Sequence, residues 1–153
     1  MSEGDALEHT ISWVSEVSKI SDEVSINPMN IQRGTIVDRL FRNREYRPPW
    51  LWSLVEMIIR THDDVSKTDC RVIVHPTAGG KARGSHNCGS CDSEVVAAIE
   101  RYSVSGNLGE FNGLECECKK VWLSEIQNDS ALPTPMGSGI HRRGNALDRL
   151  RSP

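Results

Sequence analysis

Apolar positions in the first half of the chain recur at helical spacing. Leu7, Ile11 and Val14 form a stripe that Val17 and Ile20 continue, while Glu8, Glu16 and Lys19 fall largely elsewhere. Residues 6–21 therefore read as an amphipathic helix. Asn27-Pro28 breaks the pattern. A second helix is expected from Thr35 to Arg44, with Ile36, Val37, Leu40 and Phe41 apolar. The third is the clearest: Trp50, Leu51, Leu54, Val55, Ile58 and Ile59 give a broad apolar face. Pro48 and Pro49 suit its start, because the first helical turn does not use the N–H that proline lacks. Asp63 and Asp64 are disfavoured at a helix C-terminus, so this helix is expected to end by His62.

Beyond residue 64 the pattern changes. Arg71-Val72-Ile73-Val74-His75 is short, β-branched and stopped by Pro76, which reads as a strand. Residues 77–85 form a Gly-rich basic loop. A helix is expected over 93–104, capped by Asp92 or Ser93, with Val95, Val96, Ile99 and Tyr102 facing inward. Residues 115–123 alternate through Cys116, Cys118, Lys120 and Trp122, the period of a strand. The expected fold is α+β. Two to three N-terminal helices (1–64) pack on a small zinc-stapled subdomain (65–126) with a short antiparallel sheet and one helix. A Pro/Gly-rich, flexible basic tail follows (127–153).

Five cysteines carry the chemistry. Cys88-Gly89-Ser90-Cys91 is a CxxC whose glycine permits the tight turn that lets two thiolates share one metal. Cys116-Glu117-Cys118 is a second pair, which a strand would point to one face. Together they predict a structural Zn²⁺ on Cys88, Cys91, Cys116 and Cys118. His86, His75 and Cys70 are alternates for one position, or partners in a second site. A redox CxxC opening a helix is the competing reading.

The structural metal argues against an enzyme. Four thiolates leave no open coordination position. The zinc-deaminase pattern needs H-x-E before its CxxC, whereas this chain has His75-Pro76-Thr77, and Asn87 rather than proline precedes Cys88. HExxH, P-loop and GxSxG elements are absent.

Charge is distributed in blocks although the net value is only -3. Arg33, Arg39, Arg42, Arg44 and Arg47 crowd one segment against Asp38 and Glu45, and Lys81 and Arg83 add to the basic loop. These residues are candidates for RNA or single-stranded nucleic acid, with Trp or Tyr46 stacking on bases. Leu7, Ile11, Trp13 and Val14 are candidates for docking a protein partner or forming a homodimer. The acidic N-terminus lacks the apolar core of a secretory signal, and no apolar run nears the roughly 20 residues of a membrane span. An intracellular protein, cytoplasmic or nuclear, is expected, with no membrane partner. The resulting expectation is a zinc-binding regulatory protein, such as a viral or phage accessory factor acting on a host protein. RNA binding through 33–47 is the alternative.

Overall fold

The computed structural model describes residues 2–131, and the tail expected over 127–153 lies outside them from residue 132 onward. In chain order the elements are α1 (Glu3–Val17), β1 (Glu23–Ile26), α2 (Ile36–Arg42), α3 (Leu51–Val65), β2 (Arg71–Val74), α4 (Asp92–Ser105), a 3₁₀ turn (Leu108–Phe111) and α5 (Glu117–Ala131).

Helix α3 is the centre. Leu51, Trp52, Met57 and Ile58 are almost fully buried, and one apolar cluster joins them to Leu7 and Val14 of α1, Val72 and Val74 of β2, Val95 and Ile99 of α4, and Trp122 of α5. Burying side chains of this size stabilises by about 1.5–3 kcal/mol each. The start of α3 has no cap from its own Trp50 side chain. The acceptor comes from α1 instead: Glu3 accepts from the Trp50 backbone N–H at 3.0 Å and from Ser53 Oγ. Ser53 Oγ in turn accepts from Trp122 Nε1 at 2.9 Å, so one polar chain ties α1, α3 and α5 together.

The structure corrects several expectations. Helix α1 ends at Val17, so Ile20, expected on its apolar stripe, is 87 % exposed. The sheet is parallel rather than antiparallel: β1 pairs with β2 in the register Glu23↔Arg71 to Ile26↔Val74. Parallel strands need a long crossover, and α2 and α3 lie within it. Residues 115–123 are not a strand, because Glu117 begins α5; residues 65–126 therefore hold two α-helices rather than one. Trp122 and Ile126 follow Cys118 at four-residue steps toward the core, which is helical spacing. Finally, α3 continues past His62 to Val65, because Val65 is buried at the inner end of its apolar face.

Candidate metal centre

The four cysteines that the sequence pairs two by two converge on one point. Their Sγ atoms all lie within 4.8 Å of one another. Cys88 stands 4.0 Å from Cys91 and 3.7 Å from Cys116, and Cys91 stands 3.6 Å from Cys118. Sulfurs about 2.3 Å from a tetrahedral ion are separated by roughly 3.8 Å, whereas a disulfide requires about 2.0 Å. The spacing is that of a tetrathiolate. Cys88 and Cys91 each have a sulfur of the second pair closer than each other's.

Three local features build this arrangement. Gly89 has φ +92°, a backbone region open to glycine, and it turns the chain so that the backbone N–H groups of Ser90 and Cys91 point at Cys88 Sγ. Those amides hold the Cys88 thiol down to about 6. Asp92, buried at the start of α4, closes the turn from beneath by accepting from the backbone N–H of Asn87 and Gly89. The N-terminal ends of two helices also meet at the cluster: Cys91 is the cap residue of α4, and Cys118 lies in the first turn of α5. Helix dipoles favour negative charge there.

The buried half of the cluster has specific donors. Trp52 Nε1 donates to Cys118 Sγ at 3.3 Å, and Asn87 Nδ2 donates to Cys91 Sγ at 3.4 Å. Asn87 Oδ1 accepts from the Trp52 backbone N–H, so one side chain aligns the loop with α3. These N–H groups are neutral. Burial accordingly pushes the Cys118 thiol up to about 12 and raises Cys91 as well. Cys88 is exposed, Cys116 is half-buried, and Cys91 and Cys118 are buried. One edge of the cluster therefore faces solvent.

The alternates lie elsewhere. His75 is exposed beyond β2, and a ring nitrogen of His86 lies 2.8 Å from the Gly84 carbonyl. Cys70 is buried, with its Sγ 3.9 Å from Ser21 Oγ. Among the described residues no second group of potential metal ligands forms.

The basic residues divide into two sets. Asp38, 3 % exposed, accepts from the backbone N–H of Gly34 at 2.9 Å, from Arg42 at 3.0 and 3.2 Å, and from Arg83 at 2.7 Å. These bonds, led by that of Gly34, hold its carboxyl well below the usual range. Arg83 also exchanges two hydrogen bonds with the Ile31 backbone, fastening the Gly-rich loop to the segment before α2. Gly84 permits this because a Cβ there would stand 2.2 Å from the Ala78 carbonyl oxygen. Arg47 donates to the His86 carbonyl and lies over the Trp50 ring at 3.8 Å. By contrast, Arg33, Arg39, Arg44 and Lys81 are exposed and have no acidic partner among the described residues.

Of the four docking candidates on α1, Leu7 and Val14 are buried in the core and Ile11 is partly buried against it. Only Trp13 is well exposed, with its ring nitrogen bonded to His9. Trp52 and Asn87 went unrecognised from sequence as parts of this site, and Asp92 was read as a helix cap, a place that Cys91 takes instead. The adjacency of Asn87 and Asp92 to the CxxC was the available signal for two of them.

The chain is similar to proteins of three archaea. The chain is 33 % identical over 137 residues to "Archaeosine synthase subunit beta" of Methanosarcina acetivorans, a match covering 89 % of this chain and 39 % of that protein. It is 34 % identical over 129 residues to the protein of the same name from Thermococcus kodakarensis, covering 84 % of this chain and 39 % of the relative. An uncharacterised protein of Methanocaldococcus jannaschii is 27 % identical over 142 residues. The chain thus spans about two-fifths of the length of the curated relatives it matches. No family model and no solved structure matches it. These relatives overturn the expectation of a viral or phage accessory factor that regulates a host protein, because they carry the name of a synthase subunit. No described helix is long and apolar enough to cross a membrane.

Proposed function

We propose that this chain is a zinc-stapled, non-catalytic portion of an archaeosine-synthase-type assembly that modifies tRNA. The observation that carries the reading is the similarity over almost the whole chain to two proteins of that name. The four-sulfur cluster defines what this portion contributes. Cys88, Cys91, Cys116 and Cys118 would hold the ion and thereby fix the starts of α4 and α5 against Trp52 of α3. An all-thiolate tetrahedral site favours zinc, or iron in an iron–sulfur setting. A site whose four positions are all filled by thiolates is structural rather than catalytic. A synthase subunit also implies protein partners and an RNA substrate for the assembly.

A chimaera tests this reading. The matching region of the Methanosarcina acetivorans relative is replaced by this chain, and archaeosine in cellular tRNA is measured by mass spectrometry in a strain lacking the native subunit. Restored archaeosine, lost again in a Cys91→Ser/Cys118→Ser chimaera, is the expected result. A folded, metal-loaded chimaera that makes none would sink the proposal.

A further inference from the structure

The exposed arginines around α2 have no role in the metal centre. Between residues 33 and 47 there are five arginines against Asp38 and Glu45. The Asp38 charge is already used: its carboxylate is buried beneath Arg42, Arg83 and the Gly34 N–H. Two depressions flank the helix. One, of about 450 Å³, is lined by Thr35, Ile36, Arg39, Arg42 and Asn43, among others. The other, of about 480 Å³, is lined by Phe41, Arg44, Glu45, Tyr46, Arg47 and His86. Cationic side chains therefore border both, with two aromatic rings in the second.

Arg44 is an informative outlier. It has φ +62° immediately after the α2 cap residue Asn43, where helix ends favour glycine or asparagine. The backbone is held there by Arg44 N–H to the Phe41 carbonyl at 3.1 Å and Glu45 N–H to the Leu40 carbonyl at 2.9 Å. A strained position occupied by a long cation with no acidic partner is the kind that function retains. The platform beneath is rigid, since Arg83 and Arg47 bind it to the loop that leads into Cys88.

We propose that this face, led by Arg39 and Arg44 with Arg33 and Lys81 at its margins, binds the phosphate backbone of RNA. Guanidinium forks match phosphate oxygens, and Tyr46 and Phe41 offer rings beside them on which an unpaired base can stack. An acidic protein segment would satisfy the charge but would make no use of paired depressions with rings in one of them. The identification of that RNA as tRNA rests on the archaeosine-synthase reading, whereas the phosphate site does not.

The test uses the full chain with its metal and a labelled, unmodified tRNA transcript, followed by fluorescence anisotropy through a salt titration. The variant is Arg39→Gln/Arg44→Gln, which removes exposed side chains and leaves the Asp38 contacts intact. Lys67→Gln/Arg101→Gln is the charge-matched control elsewhere on the surface. The double variant is expected to bind on the order of ten-fold more weakly, with the salt slope reduced by about two, while the control binds as the unaltered chain does. Unchanged metal content and circular dichroism establish that the variant is folded. Equal affinity and slope in variant and unaltered chain overturn the proposal, as does tighter binding of polyglutamate than of RNA. RNA binding lost in the variant, beside an inactive chimaera, keeps this surface and removes the synthase reading. An active chimaera with RNA binding unaffected in the variant does the reverse.

Discussion

Two polar centres in this protein are satisfied in opposite ways. Asp38 is surrounded by its own cations, Arg42 and Arg83, with the Gly34 N–H completing the set. At the cysteine cluster the hydrogen-bond donors described above are neutral, namely Trp52 Nε1, Asn87 Nδ2 and the Ser90 and Cys91 amides, and Arg47 acts on Cys118 through its charge alone. Burying charge without a counter-charge is costly, and hydrogen bonds alone offset only part of it. The first centre closes without help from outside the chain. With the second completed by the proposed cation, the folding of residues 88–131 should depend on the medium and that of residues 31–44 much less.

The largest effect that would break this contrast is metal removal. One zinc per chain is expected by native mass spectrometry, and none in Cys91→Ser/Cys118→Ser. Structural zinc contributes on the order of 10–16 kcal/mol in finger peptides, which exceeds ordinary domain stability. The variant should therefore lose amide-exchange protection throughout α4 and α5. A metal-free protein with protection intact would remove the distinction between the two centres. Cys88→Ser, on the exposed edge, should lose metal but retain more residual structure than the buried pair does.

A smaller effect is expected at the donor. Trp52→Phe keeps most of the ring volume and deletes the N–H to Cys118, and its expected cost is about 1–3 kcal/mol, read from urea midpoints. An unaltered midpoint would mean that the N–H···S contact contributes nothing.

The ion-paired centre makes a prediction about acid. The Asp38 carboxyl is depressed in the folded state, so its stabilisation is present above the ordinary carboxylate pKa of about 4 and is lost as pH falls below it. Asp38→Asn should lower the midpoint at neutral pH, and its deficit should shrink as the medium is acidified. Comparing the two proteins at each pH cancels the acid sensitivity that they share at the thiolates. A deficit independent of pH would show that the loss is one of shape alone.

The smallest effect concerns Glu3, whose carboxyl is raised chiefly by burial. Ionising it therefore opposes folding as pH rises through the usual carboxylate range, while a neutral amide oxygen still accepts from Trp50 and Ser53. Glu3→Gln should change stability by less than about 1 kcal/mol at neutral pH, with the sign toward stabilisation. A strong loss would show that the charge itself is needed at the start of α3.

Legibility in the sequence followed the scale of each signal. α1, α3 and α4 were readable because several apolar residues, six of them in α3, repeat with one period and bury one face. The convergence of the four cysteines was readable because cysteine spacing is chemically restrictive. α5 was misread because Cys116, Cys118, Lys120 and Trp122 alternate over a few residues. The four-residue steps from Cys118 to Trp122 and Ile126 emerge only over a longer window. β1 was not foreseen, since Glu23-Val24-Ser25-Ile26 is too short to distinguish from a turn and gains its partner only through tertiary pairing. The arginines were visible as a block, and the i,i+4 spacing from Asp38 marks Arg42, but nothing in the sequence brings Arg83 to the same carboxylate. The division among the basic residues depends on which side chains reach a buried carboxylate.

The parallel register has a consequence in time. β1 cannot meet β2 until residues 27–70 have been gathered between them, so the pairing joins parts of the chain far apart in sequence. Contacts of such separation form slowly. The two cysteine pairs close a shorter span that contains α4 and the 3₁₀ turn. The half that holds the four cysteines is thus topologically the quicker to close. When the whole chain refolds, the self-sufficient half waits for its sheet, and the cysteine loop would close while β1 is still searching for its neighbour.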